Sequence, residues 1–321
     1  MPGSWLLGHV FGPAMLALGG ALFFSLRCQP AGVGGALWLC REPASERGKR
    51  MMRSTTSQSA GYAHNGLPYN RFGRGLRPLI VFQGLMFENK PQYGLTFSMY
   101  RFLEDEYTVY IVLRKPGLPV GYTMQDMADD YAAMIRQEFG GPVDVIGVST
   151  GGSIALHFAA DHPDLARRLV IHSSAHALGD EAKQVQLEVG RLAQQGRWRA
   201  AYAAMSSFML PRAGMMKSLA RPMVWLGSGL MTLMGTPQDP NDLVVTVEAE
   251  DKHNFKDRLG EITTPTLVIA GAQDPFYSPA LFQETANGIP NARLVLYEKM
   301  RHPAMGKQFE RDVLEFLREW E

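Results

Sequence analysis

The stretch Val143-Asp-Val-Ile-Gly-Val-Ser-Thr-Gly-Gly152 decides the fold of this chain, and it holds the pentapeptide Gly147-Val-Ser-Thr-Gly151. The apolar, β-branched run before Ser149 predicts a buried strand, and the small residues after it predict a helix. A serine at a sharp strand-to-helix turn has a strained backbone, so the residues two positions away must be small. Such a turn exposes the hydroxyl and directs backbone N–H groups toward it. The pentapeptide alone is weak evidence, because a chain rich in glycine can match it by chance, and Ser149 could be an ordinary turn serine.

From residue 77 onward, the sequence alternates between short apolar runs and amphipathic segments. A helix is predicted for residues 124–139, where two glycines and a proline end it, and a last helix for residues 305–320. Strands separated by helices of this length form a mostly parallel sheet with helices on both faces. The sequence therefore predicts an α/β fold with a mostly parallel, doubly wound sheet. Its strands are expected at residues 79–82, 107–113, 143–148, 168–171, 265–271 and 292–297.

The alternation of strands and helices stops after Ala175 and resumes at residue 265. The residues between are helical in character, rich in methionine and interrupted by prolines. A helical insertion of this size predicts a cap at residues 177–255, on a core made of residues 73–176 and 256–321. Methionine-rich helices form an adaptable core, and they can also line an apolar substrate pocket, so both interpretations stay open.

Residues 1–72 precede the predicted core as an apolar segment followed by a linker. Residues 5–26 carry no charged side chain and are long enough to cross a bilayer, although glycine and proline dilute their apolar character. Two interpretations stay open: a membrane anchor, or a non-native extension upstream of a start at Met51 or Met52. For an anchor, the basic cluster at residues 47–53 favours a cytoplasmic catalytic domain. We expect a cytoplasmic protein, with membrane association through residues 5–26 as the alternative.

The composition argues against several classes of protein. Of the 321 residues, 46% are hydrophobic and 20% are charged, which is typical of a soluble globular enzyme. A net charge of +1 gives no argument for a nucleic-acid partner. Both cysteines, Cys28 and Cys40, precede the predicted core, which therefore has neither a disulfide nor a cysteine nucleophile. No metal-binding motif occurs, so we expect no metal and no organic cofactor, and we expect a small-molecule substrate. The oligomeric state is left open.

A serine nucleophile needs a base within hydrogen-bond reach, and the base needs a carboxylate to orient it. Asp274 follows one late strand and His302 follows the next. The C-terminal ends of parallel strands lie on one edge of a sheet, where the active sites of open α/β sheets are found. We therefore expect Ser149, Asp274 and His302 to form a catalytic triad, although Asp274-Pro275 also suits a plain turn. His172 follows another strand and is a candidate for contact with the substrate.

These motifs resemble the α/β-hydrolase fold family over residues 76–321. The resemblance lies in the turn around Ser149, in the acid loop Gly271-Ala-Gln-Asp-Pro275, and in His302 before the last helix. It implies that Ser149 is the nucleophile, Asp274 the acid and His302 the base.

The turn Gln83-Gly84-Leu85 also matches the family, with one departure. Members of the family usually have His-Gly where this chain has Gln83-Gly84. The chemistry needs a backbone N–H from the residue after the glycine, and a changed side chain leaves that donor in place. The N–H groups of Leu85 and Thr150 are therefore the predicted donors to the oxyanion and the substrate.

The sequence predicts a serine hydrolase that cleaves carboxylic esters of small to medium apolar substrates through an acyl-enzyme on Ser149. A serine at this turn argues against dehalogenase and epoxide-hydrolase chemistry, which uses aspartate there in related proteins. Hydrolysis of C–C bonds or thioesters and acyl transfer use the same triad and stay open, because pocket shape selects the leaving group. A non-catalytic ligand-binding protein with this fold is the alternative from another class.

Overall fold

The computed structural model describes residues 58–91, 95–210 and 216–319. The predicted apolar segment at residues 5–26, both cysteines and the basic cluster at residues 47–53 lie outside these ranges. Within them, no helix combines the length and the apolar character that a bilayer crossing requires.

One sheet of eight strands runs through the described part of the chain. Its strands are β1 (Ser59–Tyr62), β2 (Pro68–Gly73), β3 (Arg77–Phe82), β4 (Tyr107–Val112), β5 (Val143–Val148), β6 (Ala166–His172), β7 (Thr266–Gly271) and β8 (Ala292–Tyr297). They lie in the order β1-β2-β4-β3-β5-β6-β7-β8. The pairs β1–β2 and β2–β4 are antiparallel, and the remaining pairs are parallel. The C-terminal ends of the six parallel strands therefore meet at one edge of the sheet.

Helices connect the strands and cover both faces of the sheet. They are α1 (Met124–Phe139), α2 (Thr150–Asp161), α3 (Asp180–Gln194), α4 (Trp198–Met209), α5 (Met216–Met234), α6 (Asn241–Lys252), α7 (Pro279–Gly288) and α8 (Lys307–Arg318). Short 3-10 helices lie at Leu95–Leu103, Pro163–Leu165 and Lys256–Glu261.

Local sequence accounts for the limits of α1. Thr123 caps its N-terminus in a capping box with Asp126: each side chain bonds the other residue's backbone N–H. Gly140 ends the helix in the left-handed conformation, with φ of 67°. Between them, Met127, Tyr131 and other apolar residues bury one face against the sheet.

Two hydrophobic clusters sandwich the sheet. One lies between the sheet and the helices α1, α2 and α7, and includes Phe82, Phe158 and Phe282. The other covers the opposite face, where the first 3-10 helix and α8 contribute Tyr100 and Phe309. The predicted α/β fold with a mostly parallel, doubly wound sheet is confirmed.

The prediction of a linker before the core is wrong for residues 58–72. β1 and β2 form an antiparallel hairpin there, and β2 pairs with β4 at the edge of the sheet. The segment Pro68-Tyr-Asn-Arg-Phe-Gly73 contains residues that are depleted in strands, so its sequence resembles a loop. The segment forms a strand because the free edge of β4 offers hydrogen-bond partners to its backbone, and the local sequence does not predict this pairing.

The helices α3, α4, α5 and α6 all lie between β6 and β7 in the chain. They pack on one another around a third hydrophobic cluster, which includes Val189, Trp198 and Val247. The assignment of residues 177–255 as a cap stays a prediction.

Candidate active site

Ser149 lies at the sharp turn between β5 and α2, with φ of 53° and ψ of −127°. Its φ falls in a region that side-chain-bearing residues rarely occupy, so the backbone is strained there. The glycines around it have no room for a side chain. A Cβ on Gly151 would lie 1.9 Å from the carbonyl oxygen of Phe82, and a Cβ on Gly147 would lie 2.6 Å from that of Gly151. Close packing of β5, α2 and β3 therefore requires both glycines.

The structure brings Ser149, Asp274 and His302 together. The Ser149 Oγ lies 3.1 Å from His302 Nε2, and the His302 Nδ1 lies 2.7 Å from Asp274 Oδ2. The Asp274 side chain is fully buried, and that of His302 is almost so. With its Nδ1–H donating to Asp274, the imidazole presents Nε2 as the acceptor for the serine hydroxyl.

Backbone bonds hold the acid loop against the histidine loop. The other Asp274 oxygen accepts hydrogen bonds from the N–H groups of Phe276 and Tyr277, at 2.8 and 3.3 Å. The Gln273 N–H donates to the Met300 carbonyl at 3.0 Å. These bonds fix the orientation of the Asp274 carboxylate that accepts the hydrogen bond of His302.

The turn Gln83-Gly84-Leu85 lies beside the serine. A Cβ on Gly84 would lie 3.3 Å from the Cβ of Ser149, so the turn passes in contact with that side chain. Thr150 is the first residue of α2 and is buried. Leu85 and Thr150 thus belong to segments that adjoin Ser149.

Arg114 is a residue of this site that the sequence analysis missed. It follows β4 and is almost completely buried. Its guanidinium donates to the carbonyl oxygens of Gln83 and Gly84, at 3.0 and 3.1 Å. Burial lowers the pKa of Arg114, and nearby acidic groups oppose that shift. The one available signal was a charged side chain directly after an apolar strand, but the adjacent Lys115 made both look like loop residues.

Glu250 is a second missed residue, and it lies beneath α2. It is fully buried on α6, where its Oε1 accepts hydrogen bonds from the hydroxyls of Ser153 and Tyr277, at 2.9 and 3.3 Å. Burial raises the pKa of Glu250, although these hydroxyls and Arg114 act in the opposite direction. Nothing in the charged run Glu248-Ala-Glu-Asp-Lys252 distinguishes it from an exposed helix face.

His172, a candidate for contact with the substrate, has a fully buried side chain, which argues against that role. The Tyr100 hydroxyl lies 2.8 Å from its Nδ1, and its Nε2 lies 2.8 Å from the carbonyl oxygen of Ala304. The Ala304 N–H in turn donates to the Ser173 hydroxyl. Burial lowers the pKa of His172 to about 3, so the ring is neutral. His172 and Ser173 support the loop that carries His302.

Apolar rings and the end of α4 surround His302. The Phe276 ring lies 4.5 Å from the imidazole and also contacts Phe208, on α4. Arg301 donates to the carbonyl oxygens of Met209 and Leu210, at 3.0 and 2.9 Å. The histidine loop is thereby bound to α4. Among the described residues, no group of three or more His, Cys, Asp or Glu side chains is arranged to hold a metal ion.

The sequence of the chain is similar to those of known proteins. Over residues 113–307, more than half of the chain, the sequence matches the model of the alpha/beta hydrolase fold. It is 29% identical over 177 residues to a pimeloyl-[acyl-carrier protein] methyl ester esterase from Neisseria meningitidis, covering 54% of this chain and 66% of that protein. It is 26% identical over 180 residues to a Serratia proteamaculans protein provisionally named carbamate hydrolase RutD, covering 56% of this chain and 66% of that protein.

Solved structures show the same architecture. MGS-M2, an alpha/beta hydrolase enzyme from a deep-sea metagenome library of the Medee basin, superposes with a TM-score of 0.64. The superposition covers 78% of this chain and 94% of MGS-M2, at 20% identity, so it bears on the fold alone. Since the family model matches most of the chain and the architecture agrees, the protein belongs to the α/β-hydrolase fold family.

Proposed function

We propose that this protein is a serine hydrolase that cleaves carboxylic esters. One observation carries the proposal: a continuous hydrogen-bonded chain from Asp274 through His302 to Ser149, which stands on a strained turn. A serine on a strained turn, with its hydroxyl beside an imidazole that a carboxylate orients, is typical of a nucleophile. The esterase among the relatives supports the reaction class.

In the first half-reaction, His302 removes the proton of Ser149 as the serine oxygen attacks the ester carbonyl. Asp274 keeps the imidazole in the required tautomer and stabilises the imidazolium that forms. Negative charge develops on the carbonyl oxygen, and the N–H groups of Leu85 and Thr150 stabilise it. His302 then protonates the departing alkoxide, which leaves an acyl group on Ser149.

In the second half-reaction, water attacks the acyl-enzyme in the place of the serine. His302 takes a proton from the water, the same N–H groups stabilise the second tetrahedral oxyanion, and Ser149 leaves with the proton that His302 returns. The carboxylic acid is released, and no step requires a cofactor.

Arg114 has a positioning role in this proposal. By binding the carbonyl oxygens of Gln83 and Gly84, it sets the orientation of the peptide groups that lead to the N–H of Leu85. Preorganised donors lower the barrier because they do not have to reorient during the reaction. The buried guanidinium of Arg114 thus orients this turn, and the side chain of Gln83 is not needed for that.

The proposed substrate has a small to medium apolar acyl or alcohol group. Phe208 and Phe276 lie beside His302, and Leu85 packs with Phe87 against the helical cluster of α3, α4 and α6. Aromatic and aliphatic side chains on both sides of the reacting atoms favour apolar groups in the substrate. We infer that α3 to α6 act as a cap that shapes this pocket.

A series of p-nitrophenyl esters of increasing acyl length tests the proposal. We expect saturable hydrolysis, with the highest kcat/KM at short to medium chain length, and only background hydrolysis by a Ser149→Ala variant of the same purity. Hydrolysis by Ser149→Ala at the wild-type rate would refute the mechanism.

A further inference from the structure

The helix α5 exposes large apolar side chains along its outer side. Leu226 and Leu233 are 73% and 86% exposed, whereas Val224 and Ser228 are buried. The hydroxyl of Thr232 donates back to the carbonyl of Ser228 within the helix. An ordinary surface helix has the opposite arrangement, with its apolar side toward the protein. The outer face of α5 consists of Met223, Trp225, Leu226, Leu230, Leu233 and Met234.

These side chains form a continuous stripe. Met223, Leu226, Leu230 and Leu233 follow one another at intervals of three, four and three residues, which places them on one side of the helix. Among the described residues, the other large exposed hydrophobic side chains are scattered over the molecule. Contiguous exposed apolar surface of this kind is typical of a binding surface.

The chain around this stripe is basic. Residues 189–238 contain six arginine or lysine side chains and no aspartate or glutamate, in a protein whose net charge is only +1; of the six, Arg191 is paired with Glu188. Arg197 and Arg199 are exposed. The Arg199 guanidinium lies 4.3 Å from the centre of the Trp225 ring, so positive charge reaches the edge of the stripe.

We propose that the outer face of α5 docks on the surface of an anionic phospholipid bilayer. Leucine, methionine and tryptophan side chains enter the boundary between head groups and acyl chains, and the surrounding arginines bind lipid phosphates. A second copy of the chain fits less well, because a symmetric contact would bring the same basic surroundings together. The uncharged segment at residues 5–26 gives the same chain a second stretch suited to lipid. This inference concerns binding, and it does not depend on the ester hydrolysis proposed above.

Co-sedimentation of the full-length protein with vesicles tests the proposal. The vesicles are made of phosphatidylcholine, with or without phosphatidylglycerol. We expect the protein to bind vesicles that contain phosphatidylglycerol, and to be released by high salt. The double variant Leu226→Gln/Leu233→Gln should partition about tenfold more weakly, since two leucines no longer enter the lipid. The variant Leu76→Gln is the matched control, because this leucine is 99% exposed outside the stripe.

A second measurement separates α5 from residues 5–26. Brominated phosphatidylcholine, added to the vesicles, quenches tryptophans that enter the bilayer. Part of the quenching should disappear in Trp225→Phe, even where residues 5–26 keep the double variant on the vesicles. Unchanged partitioning of the double variant together with unchanged quenching in Trp225→Phe would overturn the proposal. The proposal would also be overturned if the wild-type protein did not bind these vesicles. The same holds if substitutions in the stripe only converted a dimer in solution to a monomer.

Discussion

Asp274 accepts three hydrogen bonds, and they determine which nitrogen of His302 carries its proton. In an Asp274→Asn variant, the side chain can turn its NH₂ toward Nδ1, so that the proton moves to Nε2. The imidazole then no longer accepts the proton of Ser149. We expect kcat to fall by about 10³- to 10⁴-fold with the fold intact. Steady-state kinetics on a p-nitrophenyl ester checks this, and a loss below tenfold would argue against Asp274 as the acid.

Arg114 offers a test of the oxyanion turn that leaves the three reacting side chains unchanged. Without the guanidinium, the carbonyls of Gln83 and Gly84 lose their donor, and we expect Arg114→Ala to lower kcat by about 10²-fold with little change in KM. Arg114→Lys keeps a charged donor and should recover part of the loss. Circular dichroism confirms that each variant is folded. A folded Arg114→Ala enzyme with the wild-type kcat would contradict the positioning role.

At the scale of single residues, the sequence predicted those whose residue type and position after a strand indicate a catalytic role. Ser149, Asp274 and His302 each follow an apolar strand, in the chain order expected for a nucleophile on an internal strand of such a sheet. Arg114 and Glu250 could not be found in this way. Their partners are backbone carbonyls and hydroxyls that only the folded chain brings near, and each looks like a residue of a polar surface run. A buried charge is visible only once the packing around it is known.

The turn between β5 and α2 is the element on which the site depends. Gly151→Ala would force a methyl group into the carbonyl of Phe82, which is backbone and cannot move aside. We expect a loss of about 3 kcal/mol in the free energy of unfolding, together with loss of activity. Urea denaturation measures the loss. Gly141→Ala is the matched control, since a Cβ there meets no atom within 4 Å, and its stability should stay near that of the wild type.

Helices and strands could be predicted from the sequence where their hydrophobic residues follow a regular pattern of sufficient length. The buried parallel strand β5 and the amphipathic helix α1 were predicted with the observed limits. The hairpin of β1 and β2 was not, because its strands depend on pairing with β4 rather than on local preference. The exposed apolar face of α5 was also not predictable, since the same spacing of apolar residues fits a buried face.

The stability of the whole molecule should fall as the pH drops below neutral. Burial lowers the pKa of both His172 and His253 to about 3, whereas each titrates near 6.5 in the unfolded chain. Between these values the unfolded state binds protons that the native state does not, so lowering the pH favours unfolding. From pH 7 to pH 5, each histidine should cost about 2 kcal/mol. Burial raises the pKa of Glu250, which has the opposite sign: in this window the native carboxyl binds a proton that the unfolded chain does not, so Glu250 offsets part of the loss.

Urea denaturation at pH 7 and at pH 5 measures this effect, with His253→Gln as the test variant. The variant cannot take up the proton in either state, so its loss of stability between the two pH values should be about 2 kcal/mol smaller than that of the wild type. An equal loss in both proteins would show that His253 does not contribute.

Labelling of the intact protein by a fluorophosphonate tests the central claim most directly, because only an activated serine reacts at a useful rate. Mass spectrometry should find one adduct per wild-type chain, and peptide mapping should assign it to Ser149. The Ser149→Ala variant should stay unlabelled, and Asp274→Asn should react far more slowly. A folded wild-type protein that takes up no label, or takes it up at another serine, would contradict the account.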